Sequence, residues 1–359
     1  MELDRQVARL MKKAREAMAS DVHVIAGLPP AFRIHGEIIL ADAPPLTPAQ
    51  AAHMTLSLLT EQQRAQLEKE WELSVSIKDG ALGRFRVTAY YHGGHPEMAL
   101  RSCNTVIPTR DMLGLPEIVD EFARMTSGLV LVTGPTGMGK TTTLNYMLDL
   151  INSERRCKIV TIEDPIEYLH RCKKAIVVQQ EVGTDVHSFA RALVHVLRQD
   201  PDVICVGEMR NLETISTALT AAETGHLVIA TLHTPNALQT VERIVDVFPA
   251  GQQNQVITQL ANCLQGVVAQ LLLTRADKKG RVLATEVLVA NTAVRSVIRE
   301  NDLSKLQSVI QTGRRSGMHS MDDSLRRLYE AASISYDAAV SHARDPRMIS
   351  DGYKSAATQ

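Results

Sequence analysis

Residues 128–142 read GLVLVTGPTGMGKTT. A continuous apolar run stops at a glycine, passes through GxxxxGK[ST], and gives way to a helix-forming stretch, TTTLNYMLDLIN. Few structures accommodate that order except a buried strand, a glycine-rich loop and a helix. In such a loop Gly134, Gly137 and Gly139 let backbone amides turn inward. With Pro135, Thr136 and Met138 between them they form an anion cradle, to which the following helix adds its positive N-terminal end. Lys140 is expected to reach the β- and γ-phosphates, the Thr141 hydroxyl to ligate Mg²⁺, and Thr142 to close the cradle. ATP and Mg²⁺ are therefore the expected ligands.

This run is the first of four. CKIVTIED (157–164), PDVICVGEM (201–209) and HLVIATLHT (226–234) follow, each short and continuous rather than alternating, with helical stretches such as SFARALVHVLRQD between them. Continuous runs fit strands buried on both faces of a parallel sheet. Strand–helix alternation makes the region an α/β domain with a mostly parallel sheet. After about residue 250 the pattern reads as mainly helical to about 345, and DGYKSAATQ reads as a loose tail.

Residues 1–110 are different. A helix near 3–19 precedes strand-like AFRIHGEIIL (31–40), a helical stretch over about 48–70, and strands LSVSI (73–77) and GRFRVTAYY (83–91) around the turn KDGALG. This is the pattern of a small α+β domain. IPTRDMLGLPE carries Pro and Gly at both ends and reads as the junction. The expected division is 1–110, a linker at 111–117, the α/β domain with its C-terminal helices at 118–350, and a flexible tail at 351–359. A chain of 359 residues accommodates two domains.

Composition narrows the function. Lys+Arg total 39 against 40 Asp+Glu, and aromatics are 4%. A nucleic-acid translocase would call for a basic stripe and stacking aromatics, so no nucleic-acid partner is expected. The polar N-terminus MELDRQVARLMKKAREAM lacks the apolar core of a signal peptide, and no run approaches a membrane span. Cys103, Cys157, Cys172, Cys205 and Cys263 lie far apart without a CxxC pair, so reduced thiols in a cytoplasmic protein are expected.

Phosphoryl transfer also requires acids. Glu208 closes the third run, at the carboxyl edge where an open α/β sheet presents its ligand groups. Gly207 stands where an Asp is usual, so Glu208 must do the acidic work near Mg²⁺. TIEDPIEY offers Glu163, Asp164 and Glu167, which repel one another unless a cation is near. His233 ends the fourth run and is expected beside the γ-phosphate. His226 begins that run, roughly 23 Å away along a straight strand, so the two imidazoles are expected to do different jobs. Arg84 and Arg86 share a face of GRFRV by alternation, and Arg101 follows in MALRS. A solvated sheet face and a phosphate clamp are both open to them from the pattern alone.

Taken in order, GPTGMGKTTTL, TIEDPIEY, DPDVICVGEMRNLETI and TAAETGHLVIATLHT resemble the Walker A, Asp box, Walker B and His box of the type II/IV secretion ATPases. SDVHVIAGLPPAFRIHGEI, GRFRV and ALR extend the resemblance over nearly the whole chain. VERIVDVFPAGQQ and NTAVRSVIRE (291–300) are similar to the pilus-retraction branch, PilT and PilU, and the inserted tetracysteine element of assembly ATPases is missing. The resemblance implies a PAS-like N-terminal domain and a RecA-like ATPase domain in a homo-hexamer, with ATP between the two domains. It makes Glu163 the water-activating base, Glu208 the Walker B carboxylate, and His226 and His233 the His box. Arg84, Arg86 and Arg101 become the arginines supplied to the nucleotide. The implied activity is ATP-driven retraction of type IV pili, the basis of twitching motility. A PilU-like accessory subunit and a type II secretion or pilus-assembly ATPase are the alternatives. The implied partners are an inner-membrane platform protein and a paralogous retraction ATPase, which bring a cytoplasmic chain to the inner membrane. Met138 replaces a more common Ser where the backbone binds, so little effect is expected, and Asn211 replaces an Asp. Arg295 and Arg299, at i and i+4, are expected to form a face that meets the pilus machinery.

Overall fold

The computed structural model describes residues 4–34, 37–79, 82–102 and 106–350. The expected tail at 351–359, Cys103 and the tip of the KDGALG turn lie outside the described residues. Two compact units divide the chain: Met1–Val106 with Pro165–Leu169, and Ile107–Asp164 with His170–Gln359.

The first unit is built on an antiparallel sheet with strands β1 (Asp21–Val24), β2 (Ala31–Ile34), β3 (Glu37–Leu40), β4 (Glu72–Asp79), β5 (Gly83–His92) and β6 (His95–Ser102), in the order β3-β2-β1-β6-β5-β4. Alternation along β5 sends Phe85, Val87 and Ala89 into the core and leaves Arg84 and Arg86 on the other face. Met11, Met54, Met98 and Leu100 pack against that inward set. Arg15 ties the helix Arg5–Glu16 to β5. Its guanidinium donates to the carbonyls of Leu82 and Arg84 and lies 4.8 Å from the centre of the Phe85 ring. The single helical stretch expected over 48–70 is two helices, Pro48–Ser57 and Glu61–Glu70. Thr47 with Gln50, and Thr60 with Gln63, each form a reciprocal capping box, so the second cap starts a new helix at Glu61.

The second unit is built on β7 (Gly128–Thr133), β8 (Lys158–Glu163), β9 (Ile176–Glu181), β10 (Val203–Val206), β11 (Leu227–Leu232), β12 (Leu264–Thr274) and β13 (Arg281–Val289), in the order β13-β12-β7-β11-β10-β8-β9. All pairs are parallel except β12 with β13. The four apolar runs are β7, β8, β10 and β11, and every residue of β7, β10 and β11 is buried. Helices cover both faces and bury separate apolar cores.

Two expectations fail here. The region after 250 is not mainly helical, because β12 and β13 form a long antiparallel pair in unbroken register from Gly266↔Val289 to Thr274↔Arg281. Its continuous apolar runs carry no alternation that would set strand apart from helix, and the turn carried the informative signal. Lys278 and Gly280 take positive φ, 56° and 91°. The stretch 111–117 does not behave as a linker either. Arg110–Leu113 is helical, Leu115 is buried in the second core, and the Arg110 guanidinium meets Asp120 at 3.3 Å.

Arg295 and Arg299 lie on the helix Thr292–Arg299, on one face as expected, but that face is occupied within the chain. Arg295 Nη1 donates to the carbonyls of Ala261 and Asn262, each at 2.6 Å, and Nη2 reaches Gln265 Oε1 at 3.1 Å. The guanidinium thus satisfies the last carbonyls of the helix Ala250–Cys263 at its negative end. Arg299 Nη2 adds a bond to Asn262 Oδ1 at 3.3 Å. Arg295→Glu removes this cap and places a negative charge against exposed carbonyl dipoles. It is expected to cost about 2–3 kcal/mol. A thermal melt checks this, and an unchanged midpoint would return Arg295 to the role of a free recognition residue.

Candidate functional site

Parallel register brings the site together. Thr133 lies opposite Leu232, Ala230 opposite Val206, and Val206 opposite Ile162. The residues that follow β7, β11, β10 and β8 therefore leave the sheet at one edge. They are the loop Gly134–Gly139, His233, Gly207–Glu208 and the end of β8 at Glu163.

The loop has the backbone its glycines foretold. Gly134, Gly137 and Gly139 have φ of 140°, 81° and 82°. At Gly134 a Cβ would stand 2.4 Å from the carbonyl oxygen of Gln270 on β12. The loop therefore rests directly on a strand that the sequence pattern did not reveal. Gly139 caps the helix Lys140–Glu154 with no side-chain bond of its own. Its first-turn amides are thus left for an anion. Two further attachments fix the loop. Met138 Sδ accepts the Leu272 amide at 3.2 Å, and Arg281 on β13 donates to the Gly137 carbonyl at 3.2 Å. Met138 was expected to matter little, and its sulfur proves to be an anchor point for the loop.

Lys140 is 8% exposed. Its ammonium donates to the carbonyls of Gly134 and Pro135 at 2.7 and 2.8 Å and stands 3.5 Å from His233 Nδ1. Burial lowers its proton affinity, and the negative charge of Glu208 opposes that shift. His233 Nε2 lies 3.3 Å from Glu208 Oε2, which Arg210 Nε also approaches at 2.7 Å. An imidazole with its hydrogen on Nε2 donates to Glu208 and accepts from Lys140. His233 is thus the bridge between the cation and the carboxylate that the motifs placed separately. A Cβ at Gly207 would be 3.1 Å from the Ile162 carbonyl oxygen and 3.5 Å from the Phe189 ring, so β8 packs tightly against the backbone just before Glu208.

The three carboxylates of TIEDPIEY have different settings. Glu163 is 5% exposed and accepts from Thr161 Oγ1 at 2.6 Å and Gln179 Nε2 at 3.0 Å. Asp164 is exposed. Glu167 belongs to the first unit. Desolvation by the atoms around it raises its carboxyl above the usual range although its surface is open to solvent, while the charges of Arg101 and Arg86 pull it down. His226 stands at the opposite edge of the sheet from His233. Its Nδ1 donates to the Ala221 carbonyl at 3.0 Å, just past the helix Leu212–Glu223, and its own carbonyl accepts from Gly128. It is not brought to the phosphate loop of its own unit.

Arg84, Arg86 and Arg101 share one face of the first unit's sheet. Arg86 is the register partner of Arg101, and Arg101 of Asp21. Arg101 Nε donates to Asp21 Oδ1 at 2.8 Å, and Arg84 Nε donates to Ser76 Oγ at 2.8 Å. Sequence reasoning missed Met138 as an anchor, along with Arg281, Gln179, Asn145 and His170. The last three sit on or beside polar stretches with no periodic signal, so only the tertiary pairing reveals them.

With this geometry in place, the comparisons can be stated. Residues 2–359 match the family model described as Type II/IV secretion system protein. The chain is 44% identical over 326 residues to a "Twitching motility protein" of Neisseria gonorrhoeae, covering 91% of this chain and 87% of that protein. It is 41% identical over 340 residues to the "Type IV pilus retractation ATPase PilT" of Pseudomonas aeruginosa, covering 95% and 98%. A solved structure described as the pilus retraction motor PilT with bound ADP superposes with a TM-score of 0.90 at 46% identity, covering 98% of this chain and all of that one.

A methyl group at 134 meets a backbone oxygen, whereas at 137 it meets open space. Gly134→Ala is therefore expected to weaken ADP binding at least tenfold. Gly137→Ala pays only the left-handed backbone cost of about 1–2 kcal/mol. Calorimetric titration with ADP separates the two, and equal affinities would refute the close approach to β12.

Proposed function

This chain belongs to the family of type II/IV secretion system proteins, and on that premise we propose that it is an ATP-hydrolysing motor that drives type IV pilus retraction. The observation that carries the reading is the joint one at the sheet edge. A glycine cradle, a buried Lys140 and the His233–Glu208 pair occur in a chain that matches retraction ATPases over almost its full length.

The cradle binds a nucleotide. The first-turn amides and Lys140 take the phosphates, the ammonium exchanging the carbonyls of Gly134 and Pro135 for phosphate oxygens. Mg²⁺ fits the donor set. Thr141 and Glu208 offer hard oxygens, and among the described residues no group of three or more His, Cys, Asp or Glu could hold a metal unaided. That composition suits an ion which arrives on phosphates and keeps several waters. When bound, it would neutralise charge on the transferring group. Glu163, oriented by Thr161 and Gln179, is the base that accepts a proton from the attacking water as the γ-phosphorus–oxygen bond to the diphosphate breaks. His233, which contacts both Lys140 and Glu208, is placed to report the loss of the γ-phosphate to the end of β11. His226, at the other edge, serves contacts away from its own phosphate loop.

The remaining parts of the reading concern assembly. Arg84, Arg86 and Arg101 supply positive charge to a nucleotide when the N-terminal unit closes, on the same chain or a neighbour. The chain works as a homo-hexamer docked on an inner-membrane platform protein, with a paralogous retraction ATPase as a further partner. No helix among the described residues is long and apolar enough to cross a membrane. Those partners would bring the chain to the cytoplasmic face of the inner membrane.

The test is in cells lacking the protein, complemented with wild type or Glu208→Ala. Hyperpiliated cells whose pili shorten only with the wild type are expected. Bald cells would point to assembly, and rescue by Glu208→Ala would point to an accessory subunit that borrows another ring's hydrolysis.

A further inference from the structure

Glu163 is held by two donors on one oxygen. Thr161 sits two residues earlier on β8, on the same face, and Gln179 is its direct register partner on β9. Both donate to Glu163 Oε1, at 2.6 and 3.0 Å. Gln179 uses its other end as well. Its Oε1 accepts the backbone amide of His170 at 2.9 Å. His170 is the residue at which the chain re-enters the second unit after the excursion Pro165–Leu169, and Glu163 lies just before that excursion begins. One amide side chain therefore clamps the departure and the return of this segment.

The line of bonds continues. His170 Nε2 lies 2.8 Å from Asn145 Oδ1, and Asn145 Nδ2 donates at 2.8 Å to the carbonyl of Thr141 in the first turn of the phosphate-binding helix. Burial lowers the proton affinity of His170 and so favours the neutral ring, which donates through Nε2 to the Asn145 amide oxygen. Gln179, His170 and Asn145 thus form an uncharged chain of amides and one imidazole between Glu163 and Thr141. The absence of charge has a chemical consequence. A lysine or arginine on a carboxylate fixes it but makes it a poorer base, whereas a neutral amide orients it and leaves it able to take a proton.

We propose that Gln179 is a positioning residue for hydrolysis. It fixes the rotamer of the Glu163 carboxylate and ties that rotamer to the re-entry of the chain at His170 and to the first turn of the phosphate-binding helix. The inference rests on Glu163 acting as the base. Other titratable groups lie next to Glu163, among them the exposed Asp164 that follows it. Glu181 is its register partner on β9, and the Cys205 thiol on β10 is kept protonated by burial and then by the Glu163 charge.

Steady-state ATP hydrolysis by the full chain tests it with four variants. Glu163→Gln is the reference for loss of the base. Gln179→Leu removes both bonds at similar volume and is expected to lower kcat about 10- to 100-fold. KM for ATP and the affinity for ADP should stay within about twofold, because no phosphate ligand is touched. Gln179→Asn shortens the side chain and should rescue little. Gln179→Glu keeps the acceptor for His170 but sets a second carboxylate beside Glu163. One of the pair then holds its proton to higher pH, and the acid limb of the kcat profile should move up by about one unit or more. That shift shows only that position 179 faces the Glu163 carboxylate, and it is the fall in kcat with KM and ADP affinity kept in Gln179→Leu that separates positioning from a merely structural role. The proposal is overturned if Gln179→Leu keeps kcat within twofold, or if kcat, ADP affinity and melting temperature fall together. Should Glu163→Gln itself stay active, it is the base reading that fails. An inactive Glu163→Gln alongside normal Gln179 variants removes only the role given to Gln179.

Discussion

The parallel pairing of β7, β11, β10 and β8 is the constraint on which everything else depends. Parallel strands in register end on the same side, and the residues that follow them have to share that edge. Lys140, Glu163, Glu208 and His233 lie far apart between positions 140 and 233, yet they share one edge because each follows or ends a buried strand. The same geometry removes His226. Placed before β11 instead of after it, that side chain goes to the opposite edge and turns to the end of a helix.

Close approach is the second organising feature. The phosphate loop has the shape of its glycines, and its position comes from β12, whose Gln270 carbonyl occupies the space a Cβ at 134 would need. Bonds from Leu272 to Met138 and from Arg281 to Gly137 anchor it to the β12–β13 pair. That pair thus holds the nucleotide loop from beneath. Gly207 packs closely too, though less tightly, with β8 3.1 Å from where a Cβ would stand, just before Glu208.

Charge is handled by pairing at the edge and by neutrality behind it. The ammonium of Lys140 and the carboxylate of Glu208 are joined through one imidazole. Behind Glu163, amides and a neutral His170 carry the connections. The arginines belong to the first unit, where Asp21 and Ser76 hold two of them on a common sheet face.

By itself the sequence determined the strands buried on both faces, the glycine cradle, Lys140 and Glu208, and it did so because these are local signals. A continuous apolar run, a positive-φ glycine and a strand-end acid each report their own surroundings. It misread β12 and β13 as helical because their long apolar residues suit either structure, and periodicity cannot choose between them without the partner strand. It offered Arg295 as a recognition residue, and tertiary packing used the guanidinium to cap the helix Ala250–Cys263. Gln179, Asn145 and His170 had no legible pattern at all. Their roles exist only once β9 lies beside β8 and the chain has returned from Pro165–Leu169, because a hydrogen bond between residues far apart in sequence is decided by pairing in space.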